Sequence, residues 1–465
     1  MAFDSIAFVL FLPLVFLTYW TLHNYRKWQN VLLLAASYVF YGWWDWRFLG
    51  LILLTTCSAY ICALWVERWR LLGLSKRAKA ANAANCVLNL GVLGLFKYHD
   101  FFATSFNCMM EQLGLTADWP LLHLVLPVGI SFYTFQALSY TIDVYRGDVR
   151  AERDWIGFAT YIAFFPQLVA GPIERAHRML PQFAAPRSFS SREAVEGCRQ
   201  MLWGFVKKVV VADNCAPIVE QIFADPQSSG GSALLYGTVL FAFQIYADFS
   251  GYSDIAIGAA RLFGIRLSTN FDNPYFATSI PDFWHRWHIS LTSWFRDYVY
   301  IPLGGSWKGR GRTLANTVAV FSLSGLWHGA NWTFVLWGFY HGLLFLPWCM
   351  GWLKRTKGPD TRSFFERVPS MLLTFLLVCI GWVFFRAESI SMAGTSLWRI
   401  VSHMDLSFMQ YSKSIVVFIA LMLAAEWWHL PWPRRRWMRW AIYYLLIGLM
   451  LWKATASTQF IYFQF

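Results

Sequence analysis

Apolar stretches of about 17 to 25 residues, each long enough to cross a roughly 30 Å hydrocarbon core as a helix, recur from one end of this chain to the other. They lie near residues 5–22, 29–44, 48–66, 82–98, 121–142, 155–171, 194–216, 232–264, 314–350, 368–385, 413–430 and 440–456. A soluble particle needs more polar surface than this chain has. Of its 465 residues 57% are hydrophobic and 14% charged, with a mean hydropathy of +0.40, too small a polar supply to cover a water-facing exterior. The pattern predicts an all-α polytopic membrane protein forming one membrane domain over residues 1–465, closed by a final span and tail at 440–465.

The charge balance, 39 Lys and Arg against 26 Asp and Glu, invites a nucleic-acid reading only if position is ignored. The positive residues fall in short runs between apolar spans: Glu67 to Lys79, Lys308 to Arg312, Lys354 to Arg367 and Arg434 to Arg439. Such runs are how the positive-inside rule appears in a sequence. The 27 Trp, 21 Tyr and 41 Phe fit interfacial belts and tunnel walls better than base stacking, so lipid is the expected surrounding and nucleic acid is not. The eight cysteines show no C-x-x-C spacing and read as inert core residues. No basic n-region precedes the first apolar stretch, which reads as a retained span and not as a signal peptide.

With basic loops inside, the run Tyr25 to Lys27 places the N-terminus outside, and Glu67 to Lys79 and Arg146 to Arg153 then alternate correctly. The loop after Gly171, carrying Glu174, Arg175, Arg178, Arg187 and Arg192, is basic where the count puts it outside. A segment that dips in and returns repairs the count, and Pro166, Gly171, Pro172 and Pro181 interrupt any continuous helix there. Irregular backbone at membrane depth is tolerated only where protein or a water-filled cavity satisfies it, so an internal tunnel is expected. Beyond it the alternation resumes and carries the C-terminus outside.

The stretch PDFWHRWHISLTSWFRDYVYIPLGG, residues 281–305, is too polar to face lipid and too aromatic for a loop. On a helix Asp282, His285 and His288 share one side, while Trp284, His288 and Phe295 line another edge. Pro302, Gly304 and Gly305 end it. An interfacial helix anchored by Trp, Arg and His is an equally open reading. In SGLWHGANW, residues 324–332, His328 lies 16 residues beyond Arg312, about 24 Å along a straight helix. An ionisable group inside a bilayer is a functional candidate by default. Gly325 and Gly329 leave room on its face either for a packed helix or for a substrate. Two histidines on separate segments suit proton removal from a hydroxyl near neutral pH. Neither a G-x-S-x-G elbow nor an H-E-x-x-H zinc motif accompanies them, so an imidazole base is preferred and no metal is expected.

These segments, with LWHGANWTFVLWGFYHG (326–342), LPVGISFYTFQALSYTIDVYRG (126–147) and FFPQLVAGPIER (164–175), resemble the membrane-bound O-acyltransferase (MBOAT) family and its bacterial polysaccharide-acetylating branch. The resemblance implies a bundle of about 11–12 transmembrane helices, with re-entrant and interfacial helices, around a central tunnel. It implies that His328 is the catalytic residue and His288 its usual partner, with Trp284, Arg286, Trp287, Trp327 and Asn331 at the tunnel. The donor is then acetyl-CoA in the cytoplasm, with no permanently bound cofactor, the location the bacterial inner membrane, and the acceptor an exported polysaccharide of alginate or cellulose type. An extracytoplasmic SGNH-hydrolase-like transferase is the expected partner. Lys308, Arg310 and Arg312, in SWKGRGR, serve either to hold donor phosphates or simply as topogenic charge. The tail QFIYFQF, residues 459–465, resembles an acyl-transfer tail of this branch in which Tyr462 would be the relay, the plainer reading being an aromatic belt. A glycan exporter or an assembly scaffold without chemistry also accounts for the spans, but not for the histidine segments.

Overall fold

The computed structural model describes residues 1–169, 171–353, 363–428, 432–433, 435–454 and 460–461. Every regular element among them is helical. The chain divides into two compact units: residues 1–200 with 256–268, and 201–255 with 269–465.

Among the described residues three helices, Trp46–Leu71, Gly231–Leu262 and Phe365–Arg386, are long and apolar enough to cross a bilayer by length and composition, and Ile6–Thr21 and Ser414–Trp427 are shorter apolar helices. Their outward faces carry what water would reject. Ile6, Leu10, Leu14 and Leu17 recur along one exposed face of the first helix, and Val416, Val417 and Leu421 on Ser414–Trp427 are exposed likewise. Apolar stripes of this kind need hydrocarbon against them. The chain is a multi-pass, all-α membrane protein.

In the first unit, helices Arg26–Gly42 and Leu49–Leu71 form a hairpin whose open end holds both ends of the expected re-entrant segment. Arg153, entering that segment, pairs with Glu67 at 2.5 Å, and Arg26 donates to Ala184 O at its exit. Between them the backbone is broken into Trp155–Ala163, Phe165–Leu168 and Ala176–Ala184, and its core, including Phe158, Tyr161, Phe164, Phe165 and Leu168, is fully buried. The freed polar groups are satisfied by protein: Phe165 N donates to Ser37 Oγ at 3.0 Å, Gln167 Nε2 to Tyr161 O at 2.6 Å, Tyr161 OH to Glu174 O at 3.1 Å, and Asn30 Nδ2 to Phe183 O at 3.1 Å. That is the condition for irregular backbone at membrane depth.

The second unit corrects two expectations of continuous helix. Residues 281–305 are not one helix but Ile280–Arg286 and Ile289–Phe295, followed by the π-helical segment Arg296–Tyr300. Residues 314–350 are likewise interrupted after His328, where Arg310–His328 ends and Trp332–Leu344 begins.

Candidate active site

His288 sits at the break between its two short helices with φ 43° and ψ 55°, a left-handed conformation that costs a residue bearing a β-carbon about 1–2 kcal/mol. Asp282, His285 and His288 therefore do not line one helix face; His285 is exposed and His288 buried. Asn270 holds the break in place. Its main-chain oxygen accepts from Ile289 N at 2.9 Å. Its side-chain Oδ1 accepts from Ser290 Oγ at 2.8 Å and lies 3.0 Å from His288 Nδ1. Ser290 N, which can only donate, also points at Oδ1, so this face of the amide is oxygen and His288 Nδ1 carries the proton. Asn270 Nδ2 donates onward to Ser253 Oγ at 3.2 Å.

His328 is the last residue of Arg310–His328. Its Nδ1 lies 2.6 Å from Ser324 O, and since a carbonyl only accepts, Nδ1 again carries the proton. Both imidazoles thus hold the tautomer that keeps Nε2 as the basic nitrogen. The rings are 6.5 Å apart and inclined at 80°. Rings enclose them: Trp327 lies 6.0 Å from His288 and 5.0 Å from His328, Phe249 meets His288 edge-on at 4.7 Å, and Trp337 and Phe385 stand 4.9 and 5.6 Å from His328.

The two glycines beside His328 serve packing. A β-carbon at Gly325 would lie 2.1 Å from Phe334 O, and one at Gly329 would lie 2.2 Å from the Phe334 ring, so the helices on either side of the break close only without side chains there. Asn331 caps the second of them, accepting from Thr333 N at 3.0 Å and donating to Glu388 O at 2.9 Å.

The other sequence candidates divide. Trp284 and Trp287 are buried walls: Trp284 packs on Trp337 at 5.7 Å and Trp287 on Trp382 at 5.0 Å. Arg286 pairs with Asp282 at 2.8 Å and, with Asp272, Asn273, Arg367, Glu426 and Trp427, lines a cavity of about 490 Å³. Lys308, Arg310 and Arg312 are exposed at the opposite end of the helix that His328 terminates, about 27 Å away along its axis. Tyr462 lies outside the described residues.

Sequence reasoning passed over three features. Asn270 has no distinguishing spacing and acts only through the fold. His341 is a third buried histidine, packed 5.1 Å from Trp284 and 5.2 Å from Trp337. The buried cluster Lys208, Asp213 and Asp248 did have a signal, because Lys207 and Lys208 interrupt the apolar stretch 194–216.

Residues 150–392, more than half of the chain and including both histidine segments, match the family described as MBOAT, membrane-bound O-acyltransferase family. The chain belongs to the membrane-bound O-acyltransferase family. Among its relatives are the probable alginate O-acetylase AlgI of Azotobacter vinelandii, 41% identical over 87% of this chain and 78% of that protein, and the peptidoglycan O-acetyltransferase of Helicobacter pylori, 33% identical over 88% and 81%. The teichoic acid D-alanyltransferase of Bacillus subtilis is 28% identical over 59% of this chain and 75% of its own length. This MBOAT protein is an O-acyltransferase.

Proposed function

We propose that this acyltransferase takes acetyl from cytoplasmic acetyl-CoA and passes it through the bacterial inner membrane toward an exported polysaccharide, of alginate or cellulose type, working with an extracytoplasmic SGNH-hydrolase-like transferase. Both chain termini face outside, and residues 1–465 act as one catalytic membrane domain. One observation carries the reading: two buried imidazoles of matching tautomer, 6.5 Å apart in a chamber of rings, in a chain 41% identical to a probable alginate O-acetylase.

His328 is the base. Its Nε2 takes the proton of the acceptor hydroxyl as that oxygen adds to the thioester carbonyl; the carbon–sulfur bond then breaks and the departing thiolate takes the proton, leaving an ester and free thiol. His288, oriented by Asn270 with its ring 6.5 Å from that of His328, is the neighbouring wall that places the acceptor against His328. Trp284, Trp287 and Trp327 keep water from the thioester. Arg286 and Arg367, which line the 490 Å³ cavity, receive the donor's phosphates, and Lys308, Arg310 and Arg312 serve orientation. Tyr462 is the acceptor of the first transfer and hands acetyl on outside.

Intact mass of the purified protein after incubation with acetyl-CoA tests this. The wild type should gain one acetyl group, and His328→Ala and Tyr462→Phe should not. Thioester consumption that depends on His328 without any gain in mass would remove the covalent relay and keep the enzyme. A folded His328→Ala protein supporting full polymer acetylation would sink the assignment of the base.

A further inference from the structure

Phe460–Ile461 is held inside the second unit by its backbone. Ile461 N donates to Asp248 Oδ2 at 2.7 Å. The other oxygen of that carboxylate is 2.9 Å from Lys208 Nζ, which also holds Asp213 at 2.8 Å, and none of the three side chains is more than 5% exposed. A carboxylate buried in an apolar interior needs its oxygens met by donors. The Ile461 amide is such a donor. Phe460 lies against Tyr252 at 4.3 Å and Phe249 at 5.8 Å, and Phe249 is the ring that meets His288 edge-on at 4.7 Å.

The same wall holds the chain before this point. Lys208 belongs to the π-helical segment Val206–Ala212, and Asn214, just beyond it, donates to Lys453 O at 3.2 Å at the end of the last helix. The adjacent Lys207 pairs with Asp254 at 2.5 Å, so neighbouring lysines grip helix Gly231–Leu262 at Asp248 and Asp254. Lys453, through Asn214, and Ile461, through Asp248 and Lys208, are thus both tied to residues 208–214.

We propose that Asp213, Lys208 and Asp248 form an anchor that seats the C-terminal segment through its backbone, with Phe460 against the Phe249 ring that meets His288. These are positioning residues. Recognition through an amide leaves the neighbouring side chains to set register and chemistry. The anchor's place in catalysis rests on the relay proposed above, but its existence is tested separately.

Hydrogen exchange of the C-terminal peptide reports on the Ile461 amide without any reaction. In the full-length protein Asp248→Leu keeps the γ-branched shape but removes the acceptor, and it should speed exchange there at least tenfold. Asp248→Asn keeps an oxygen that can accept and should retain most of the protection. Equal exchange in Asp248→Leu and wild type would overturn the anchor. Should Asp248→Leu fail to fold, Phe460→Ala, on the tail itself, decides: faster exchange supports the seat and unchanged exchange overturns it. A released tail with undiminished polymer acetylation would leave the anchor standing and remove the relay, whereas a protected tail in a protein that no longer gains acetyl would count against the anchor as the positioning device.

Discussion

The proposed chemistry turns on which imidazole nitrogen is basic, and single neighbours decide it. Ser324 O fixes His328 and Asn270 Oδ1 fixes His288. Loss of a general base typically costs 10²–10⁴ in rate, so His328→Ala should lower donor thioester turnover by about that range, read as kcat/KM. Asn270→Ala should cost roughly tenfold, about one lost hydrogen bond expressed as a rate. Asn270→Asp keeps the acceptor for His288 Nδ1 and should recover most of that loss; a common fall in both variants would mean that Asn270 serves only the local backbone. The two histidines were legible in the sequence because an ionisable side chain amid apolar residues is costly wherever it points. Asn270 was not, because it stands 18 positions from His288 in a polar stretch where asparagine is unremarked, and its value comes from tertiary pairing alone.

At the scale of elements, periodicity predicted helix correctly and continuity wrongly. Residues 281–305 look helical throughout because each half is; the turn at His288 is set by Ile289 N bonding to Asn270 O at 2.9 Å and Asp272 N to Arg286 O at 3.0 Å, partners that no window of local sequence contains. The sequence leaves Gly325 and Gly329 open to two uses, and the structure uses them, with Gly338, for contact between helices. A β-carbon at Gly338 would lie 2.1 Å from Phe321 O, a backbone atom that cannot turn aside. Gly338→Ala should therefore cost about 1–3 kcal/mol as overpacking does, lowering the melting temperature in detergent and, by parting the helices beside His328, the rate as well. Gly448, in helix Arg436–Lys453, has nothing within 4 Å of such an atom, and Gly448→Ala should be neutral or slightly stabilising from helix propensity. Equal destabilisation by both would show that flexibility, not approach, is what glycine supplies.

For the whole molecule the governing constraint is the bilayer, which sorts charge by side and lets the orientation be tested. A chain that crossed the membrane between Arg153 and Ala184 would put the basic stretch around Arg187 and Arg192 opposite Arg26 and Lys27, against the positive-inside rule. The structure instead returns the chain to the end it left, with Arg153 on Glu67 and Arg26 on Ala184 O, so every basic run of the first unit can share one side. In a background lacking the exposed Cys108 and Cys198, cysteines placed at His23 and Ser188, both exposed, should react with an impermeant maleimide from the same side, and only after permeabilisation if that side is the cytoplasm. Trp44→Cys, exposed beyond the far end of helix Arg26–Gly42, should label in intact cells. Labelling of Ser188→Cys alongside Trp44→Cys, and not alongside His23→Cys, would mean that the broken segment crosses the bilayer. The buried polar contacts that hold it would then line a passage through the membrane and not the floor of a return.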